Sequence, residues 1–178
     1  MALLQVFKFP HPVLKQHAKT VTRFDDELRR LADNMLDTMY EEGGIGLAAN
    51  QVGQLKQVVV MDLRAEDEDD GETPRPARKK EPRVFVNPRM IESRGEIITD
   101  EGCLSVIDFT AEVKRKQWIR VAYQTAEGKE REEAFEDLAA VCLQHEMDHL
   151  QGRLFIDHLS PLKRGMIKKR LSKIAKSA

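Results

Sequence analysis

The sequence predicts one α+β domain: small antiparallel or mixed sheets around a central helix, with further helices towards the N and C termini. Three observations point there. Apolar residues keep a 3.6-residue period in three separate stretches, short β-branched or alternating segments lie between them, and no internal repeat is present. The 178 residues are 41% hydrophobic and 33% charged, which suits a single domain with a real core and excludes global disorder.

The first helix is expected over residues 25–42. Leu28, Leu31, Met35, Leu36, Met39 and Tyr40 keep the helical period, Asp25 or Asp26 can cap the start, and Gly43-Gly44 stops it. Residues 57–63 (QVVVMDL) are too short and too β-branched for a helix and read as a buried strand. Residues 64–83 then lose all periodicity. Their seven acids, six bases and three prolines make them a mobile surface loop or hairpin excursion without chemistry of its own. Strands follow at residues 84–86, 95–99 and 119–123, where Ile119, Val121 and Tyr123 alternate with polar neighbours.

The central helix is expected over residues 137–151, ending at Gly152. Leu138, Val141, Cys142, His145 and His149 share one face, while Leu143, Met147 and Leu150 line another, so this helix should be buried nearly all round. Residues 153–157 form a short strand or turn. Residues 161–178 form a third helix, with Met166, Ile167, Leu171 and Ile174 on a basic background. The domain proper is expected to span residues 1–162, followed by a basic helical tail at 163–178.

The net charge of −1 conceals an asymmetry, because residues 163–178 hold seven basic side chains and no acidic one. An acidic body with a basic tail suggests an anionic partner for the tail. Cys103 and Cys142 are too few for a disulfide scaffold and fit a reducing compartment. No signal peptide is evident and no stretch approaches transmembrane length, so a cytoplasmic enzyme or binding domain is expected.

The strongest chemical signal is His145-Glu146-Met147-Asp148-His149, an H-E-x-x-H on a helix. Residues four apart sit one turn apart on the same face, so both imidazoles reach one metal ion, and Glu146 stands beside them to handle a proton. A site of this type needs a third protein ligand. Cys103, in Glu101-Gly102-Cys103-Leu104-Ser105, is the best choice, since a thiolate suits a borderline-soft divalent metal. Cys142 reads instead as packing on the helix face. The string Gly44-Ile45-Gly46-Leu47-Ala48-Ala49-Asn50-Gln51 lets a backbone run close to another chain, and Gln51 adds an amide donor able to polarise a carbonyl. His11, His17 and His158 have no partners at ligand spacing and are expected in surface or packing roles.

In series, G-I-G-L-A-A-x-Q, E-G-C-L-S and Q-H-E-x-D-H resemble the signature of the peptide deformylases, and the likeness spans nearly the whole chain. It implies a bacterial-type, cytoplasmic enzyme that removes formyl from the N-terminal methionine of new polypeptides. Cys103, His145 and His149 match the family's metal ligands, with Fe(II) the usual metal and zinc, nickel or cobalt able to replace it. Glu146 matches the general acid/base. Gln51 and the backbone N–H of Leu104 match the pair that stabilises the oxyanion. Gly46 matches the contact to the nascent peptide, and Ile45, Glu101, Leu138, Val141 and Cys142 match positions lining the methionine pocket, with Glu101 paired to Arg115. The resemblance also implies ribosome docking by the basic C-terminal helix. Ile107 and Thr110 depart from the family's common residues, proline and tyrosine or arginine. The 64–83 insertion is longer than usual.

A metalloprotease shares H-E-x-x-H but accounts for neither E-G-C-L-S nor a thiolate ligand. A structural zinc module closes with four protein ligands, and only three stand out here.

Overall fold

The computed structural model describes residues 2–63 and 80–177. Most of the expected charged excursion, residues 64–79, lies outside them. Among the described residues, helix α1 (Asp26–Glu41), strands β1 (Gly46–Ala48), β2 (Val58–Met61) and β3 (Arg83–Arg94), and the hairpin β4 (Ile97–Cys103) and β5 (Val106–Arg115) come first. Strands β6 (Trp118–Gln124) and β7 (Glu130–Glu136) precede α2 (Asp137–Leu150) and α3 (Pro161–Ser177). The fold is α+β, as expected.

One antiparallel sheet runs β1-β2-β3-β6-β7, and β4 and β5 form a separate two-stranded sheet. Strand β2 explains why QVVVMDL is apolar without alternation. Successive side chains point to opposite faces of a sheet, and both faces of this one are covered. Val59 and Met61 pack with Phe85, Ile119 and the α2 residues Cys142 and Leu143. Val58 and Val60 pack on the other side with Leu28, Met35 and Met39 of α1. The Asp25 side chain caps α1 by accepting from the Leu28 N–H at 3.1 Å.

Helix α2 is buried after its first turn, with Leu138 still exposed. It ends where Gly152 takes φ +72°, and a Cβ there would lie 2.4 Å from the Lys15 carbonyl oxygen. Only glycine fits that approach. In α3, Ile167 and Leu171 join a third cluster with Phe9, Leu14, Val106 and Phe155, whereas Met166 and Ile174 remain exposed. The expected apolar stripe is therefore half used.

Several expected boundaries need correction. The strand expected at residues 84–86 begins at Arg83 and continues to Arg94, and the one expected at 95–99 extends through Cys103. Of the strand or turn expected at residues 153–157, the structure has the turn, one tight 3-10 turn at Phe155–His158. Strands β5 and β7 were not anticipated. In β7 (EREEAFE) only Phe135 is buried, which suits a charged edge strand but leaves little periodicity to detect. Among the described residues no helix is long and apolar enough to cross a membrane.

Candidate active site

Three segments converge on one side of α2. The β4–β5 turn delivers Cys103, β1 and the short 3-10 turn Ala49–Val52 deliver Gly46 and Gln51, and α2 delivers His145, Glu146 and His149. One ligating atom each from Cys103, His145 and His149 lies within 4.8 Å of the others, and Cys103 Sγ is 3.4 Å from His149 Nε2. Both histidines are buried.

The orientation of His145 has a traceable cause. Its Nδ1 donates to Glu101 Oε1 at 2.8 Å, which leaves Nε2 as the ligating atom. Glu101 in turn accepts both arms of the Arg115 fork, from Nε and Nη2, each at 2.8 Å. The third guanidinium donor, Nη1, reaches Asp148 Oδ2 at 2.6 Å. Burial works against a charge on Glu101, but the bonds from Arg115 and His145 outweigh it and keep its pKa below the ordinary value.

Burial opposes a charge on His145, yet its contacts with Cys103 and Glu101 prevail and raise its pKa well above 6.5. Burial and the neighbouring His145 push His149 well below 6.5, so its imidazole keeps a lone pair. The cluster offers one thiol and two imidazoles, a donor set for a borderline-soft metal. Two buried polar atoms, Glu146 Oε2 and His149 Nδ1, have no partner among the described residues. The donor set and the unpartnered Glu146 oxygen fit a metal with its attendant solvent.

Glu146 is 4% exposed, and burial pushes its pKa up to about 7 against the pull of His145 and Arg115. It presses on β1: a Cβ added to Gly46 would come within 2.7 Å of Glu146 Oε1. Gln51 is held by its Oε1, which accepts from the Ala48 N–H at 2.9 Å, so its Nε2 faces Cys103 Sγ at 3.6 Å and Ser105 Oγ at 3.2 Å. Ser105 N–H points at Cys103 Sγ from 3.4 Å, and Lys8 Nζ donates to the Leu104 carbonyl at 2.5 Å.

A cavity of about 400 Å³ opens beside the cluster. Ile45, Gly46, Gln51, Glu101, Cys103, Leu104, Leu138, Val141, Cys142, His145 and Glu146 all line it. Arg115 does not; it stands behind Glu101 and faces a larger cavity, about 530 Å³, against the opposite face of α2. That second space meets none of the three ligands, so the chemistry belongs to the smaller one. Ile107 is exposed on β5, and Thr110 lies over Gly102.

Sequence reasoning missed Lys8, Ser105, Asp148 and His158. Asp148 stood inside the motif but carried no signal of its Arg115 bond. His158, expected in a surface or packing role, lies 2.7 Å from Asp148 Oδ2 through Nε2, and nothing in its spacing announces this.

A Cys-His-His cluster, its histidines buried and its cysteine half-buried, with an adjoining carboxylate on one helix defines a metal-dependent hydrolase of the H-E-x-x-H class. Residues 3–165 match the family model described as polypeptide deformylase, and the chain belongs to that family. The peptide deformylase of Novosphingobium aromaticivorans is 48% identical over the full length of both chains. That of Zymomonas mobilis is 49% identical over 97% of this chain and 95% of its own. Among solved structures, a peptide deformylase from Legionella pneumophila superposes with a TM-score of 0.85 at 38% identity, covering 98% of this chain and 96% of that one. A peptide deformylase from Synechococcus elongatus, solved in complex with actinonin, gives 0.81 at 39% identity over 94% and 86%.

Removing the carboxylate that links His145 to Arg115 leaves a buried guanidinium with Asp148 alone. Glu101→Gln should therefore lower the unfolding free energy by about 3 kcal/mol, the low end for breaking a buried ion pair. A urea denaturation midpoint measured against the parent checks this.

Proposed function

We propose that this chain hydrolyses the formamide at the N-terminal formyl-methionine of new polypeptides and releases formate. The observation that carries the reading is Glu146, a buried carboxylate with one unpartnered oxygen, set between three ligand atoms and a largely apolar cavity. Cys103, His145 and His149 would hold a divalent metal, Fe(II) in the cell, with zinc, nickel or cobalt able to take its place. Such an ion supplies Lewis acidity, which makes water a competent nucleophile near neutral pH.

The chain's own residues do the rest. Glu146 takes the proton of the attacking water and returns it to the departing amine, a task for which a pKa near neutrality is suited. Gln51 Nε2 and the Leu104 backbone N–H donate to the formyl oxygen as it gains negative charge. Gln51 is already aimed by its bond to Ala48, so no reorientation is needed. Gly46 on β1 offers its backbone to the nascent peptide. Ile45, Leu138, Val141 and Cys142 receive the methionine side chain, and Glu101 with Arg115 fixes the wall between pocket and metal.

The catalytic unit is residues 1–162, acting in the cytoplasm on nascent chains. The basic residues of 163–178 would meet ribosomal phosphate, an association that weakens with salt as counterions are released.

The direct test is formate release from formyl-Met-Ala by anaerobically purified protein, with and without added Fe(II) or Ni(II). Turnover with either metal and no digestion of casein is expected; casein digestion without formate would make the protein a protease. Glu146→Gln should abolish turnover while leaving the bound metal, measured by elemental analysis, unchanged. Gln51→Leu should slow turnover by about 100-fold, the scale for one oxyanion donor, with kcat read by the same formate assay.

A further inference from the structure

The turn Phe155–His158 touches the metal-binding imidazole of His145 from two directions. Directly, the Phe155 ring stacks on the His145 ring with centroids 6.1 Å apart and planes 22° from parallel. Indirectly, His158 stands at the head of a continuous chain of hydrogen bonds. His158 Nε2 lies 2.7 Å from Asp148 Oδ2, which also accepts from Arg115 Nη1, and Arg115 clamps Glu101, which holds His145 Nδ1. We infer that His158 is a positioning residue for the metal ligand His145, acting through Asp148, Arg115 and Glu101. The inference rests on the metal-site reading above and extends it to a residue outside that site.

The direction of each bond follows from what the groups can do. His158 Nε2 is also 3.3 Å from Arg115 Nη1, but a guanidinium only donates. A nitrogen cannot accept from Arg115 and donate to Asp148 with the same lone pair and proton. The shorter contact, to a carboxylate, decides the matter: Nε2 carries the hydrogen and Asp148 Oδ2 accepts from both sides. Asp148 is thereby fixed at one end by α2 and at the other by the turn.

Arg115 passes that constraint on because its guanidinium is planar and all three of its anchoring nitrogens are engaged. A tilt that lengthened Nη1 to Asp148 would swing Nε and Nη2, and Glu101 Oε1 would carry His145 Nδ1 with it. The side chains become wetter along the way: Arg115 is 3% exposed and Glu101 5%, while Asp148 is 21% and His158 33%. His158 opens onto the cavity of about 530 Å³ on the far face of α2. Solvent there can replace part of the His158 bond, so its loss should loosen the ligand rather than abolish the site.

The test uses full-length protein loaded with Co(II) under anaerobic conditions. His158→Phe keeps the ring volume without a donor, whereas the Gln of His158→Gln can still donate an amide N–H to Asp148. We expect His158→Phe to raise the Co(II) dissociation constant, measured by chelator competition, roughly tenfold, the lower end for an outer-shell partner of a metal ligand. Its visible Co(II) bands should shift, and kcat should fall with KM unchanged. His158→Gln should return all three to the parent values. If His158→Phe does not fold, His158→Leu carries the same readouts. Unchanged affinity and spectrum in the donor-less variant, or equal defects in His158→Gln, would overturn the inference. A parent protein that binds no Co(II) through a thiolate would instead overturn the metal-site reading on which it stands.

Discussion

The ion pair between Glu101 and Arg115, both on the two-stranded sheet, ties that sheet to α2, a helix it otherwise meets little. The two-stranded sheet that carries Cys103 packs against the Phe155–His158 turn and α3 rather than along α2, which carries both histidines. Arg115 sits at the end of β5, opposite Ile97 of β4, and Glu101 lies further along β4. Together they bond His145 and Asp148 of α2. A buried pair of this kind repays its desolvation only in part, so its main effect is geometric. It sets where the thiol of one sheet meets the imidazoles of a helix that belongs to another.

Around that fixed point the site keeps polar atoms in a dry place. An unpartnered buried carboxylate oxygen is costly, and Glu146 responds by holding its proton to about neutral pH. Gly46 allows the carboxylate to lie directly against β1, with no side chain between backbone and acid. Gln51 is treated differently. Both ends of its amide are engaged, so it is rigid where Glu146 is chemically poised. The contrast matches the proposed division of labour between a group that must point and a group that must exchange a proton.

The helices and the cluster were legible in the sequence for good physical reasons. Helical period, caps and glycine stops are local signals, and the spacing of His145 and His149 fixes their geometry by itself. Cys103 followed from the need for a third, thiolate ligand, and the family likeness supplied the pocket residues as a set. The strands were less legible. β5 and β7 are largely charged, and their pairing depends on partners elsewhere in the chain rather than on their own pattern. Beyond the Glu101–Arg115 pair, which the family likeness implied, the bonds behind His145 were least legible of all. Arg115, Asp148 and His158 are brought together by the register of a hairpin and the exit angle of a turn, neither of which leaves a periodic mark.

The N-terminal segment runs alongside the site, with the Phe7 N–H bonded to the Gln51 carbonyl, the Phe9 N–H to the Ser105 carbonyl, and Lys8 to Leu104. Residues made among the first are thus seated against the 103–105 turn, which in turn awaits His145 and His149. Contacts so distant in sequence form late and all together. During its own synthesis the polypeptide therefore passes most of its length without an assembled centre. An enzyme that acts on growing chains is inert as a growing chain until residue 149 has been joined.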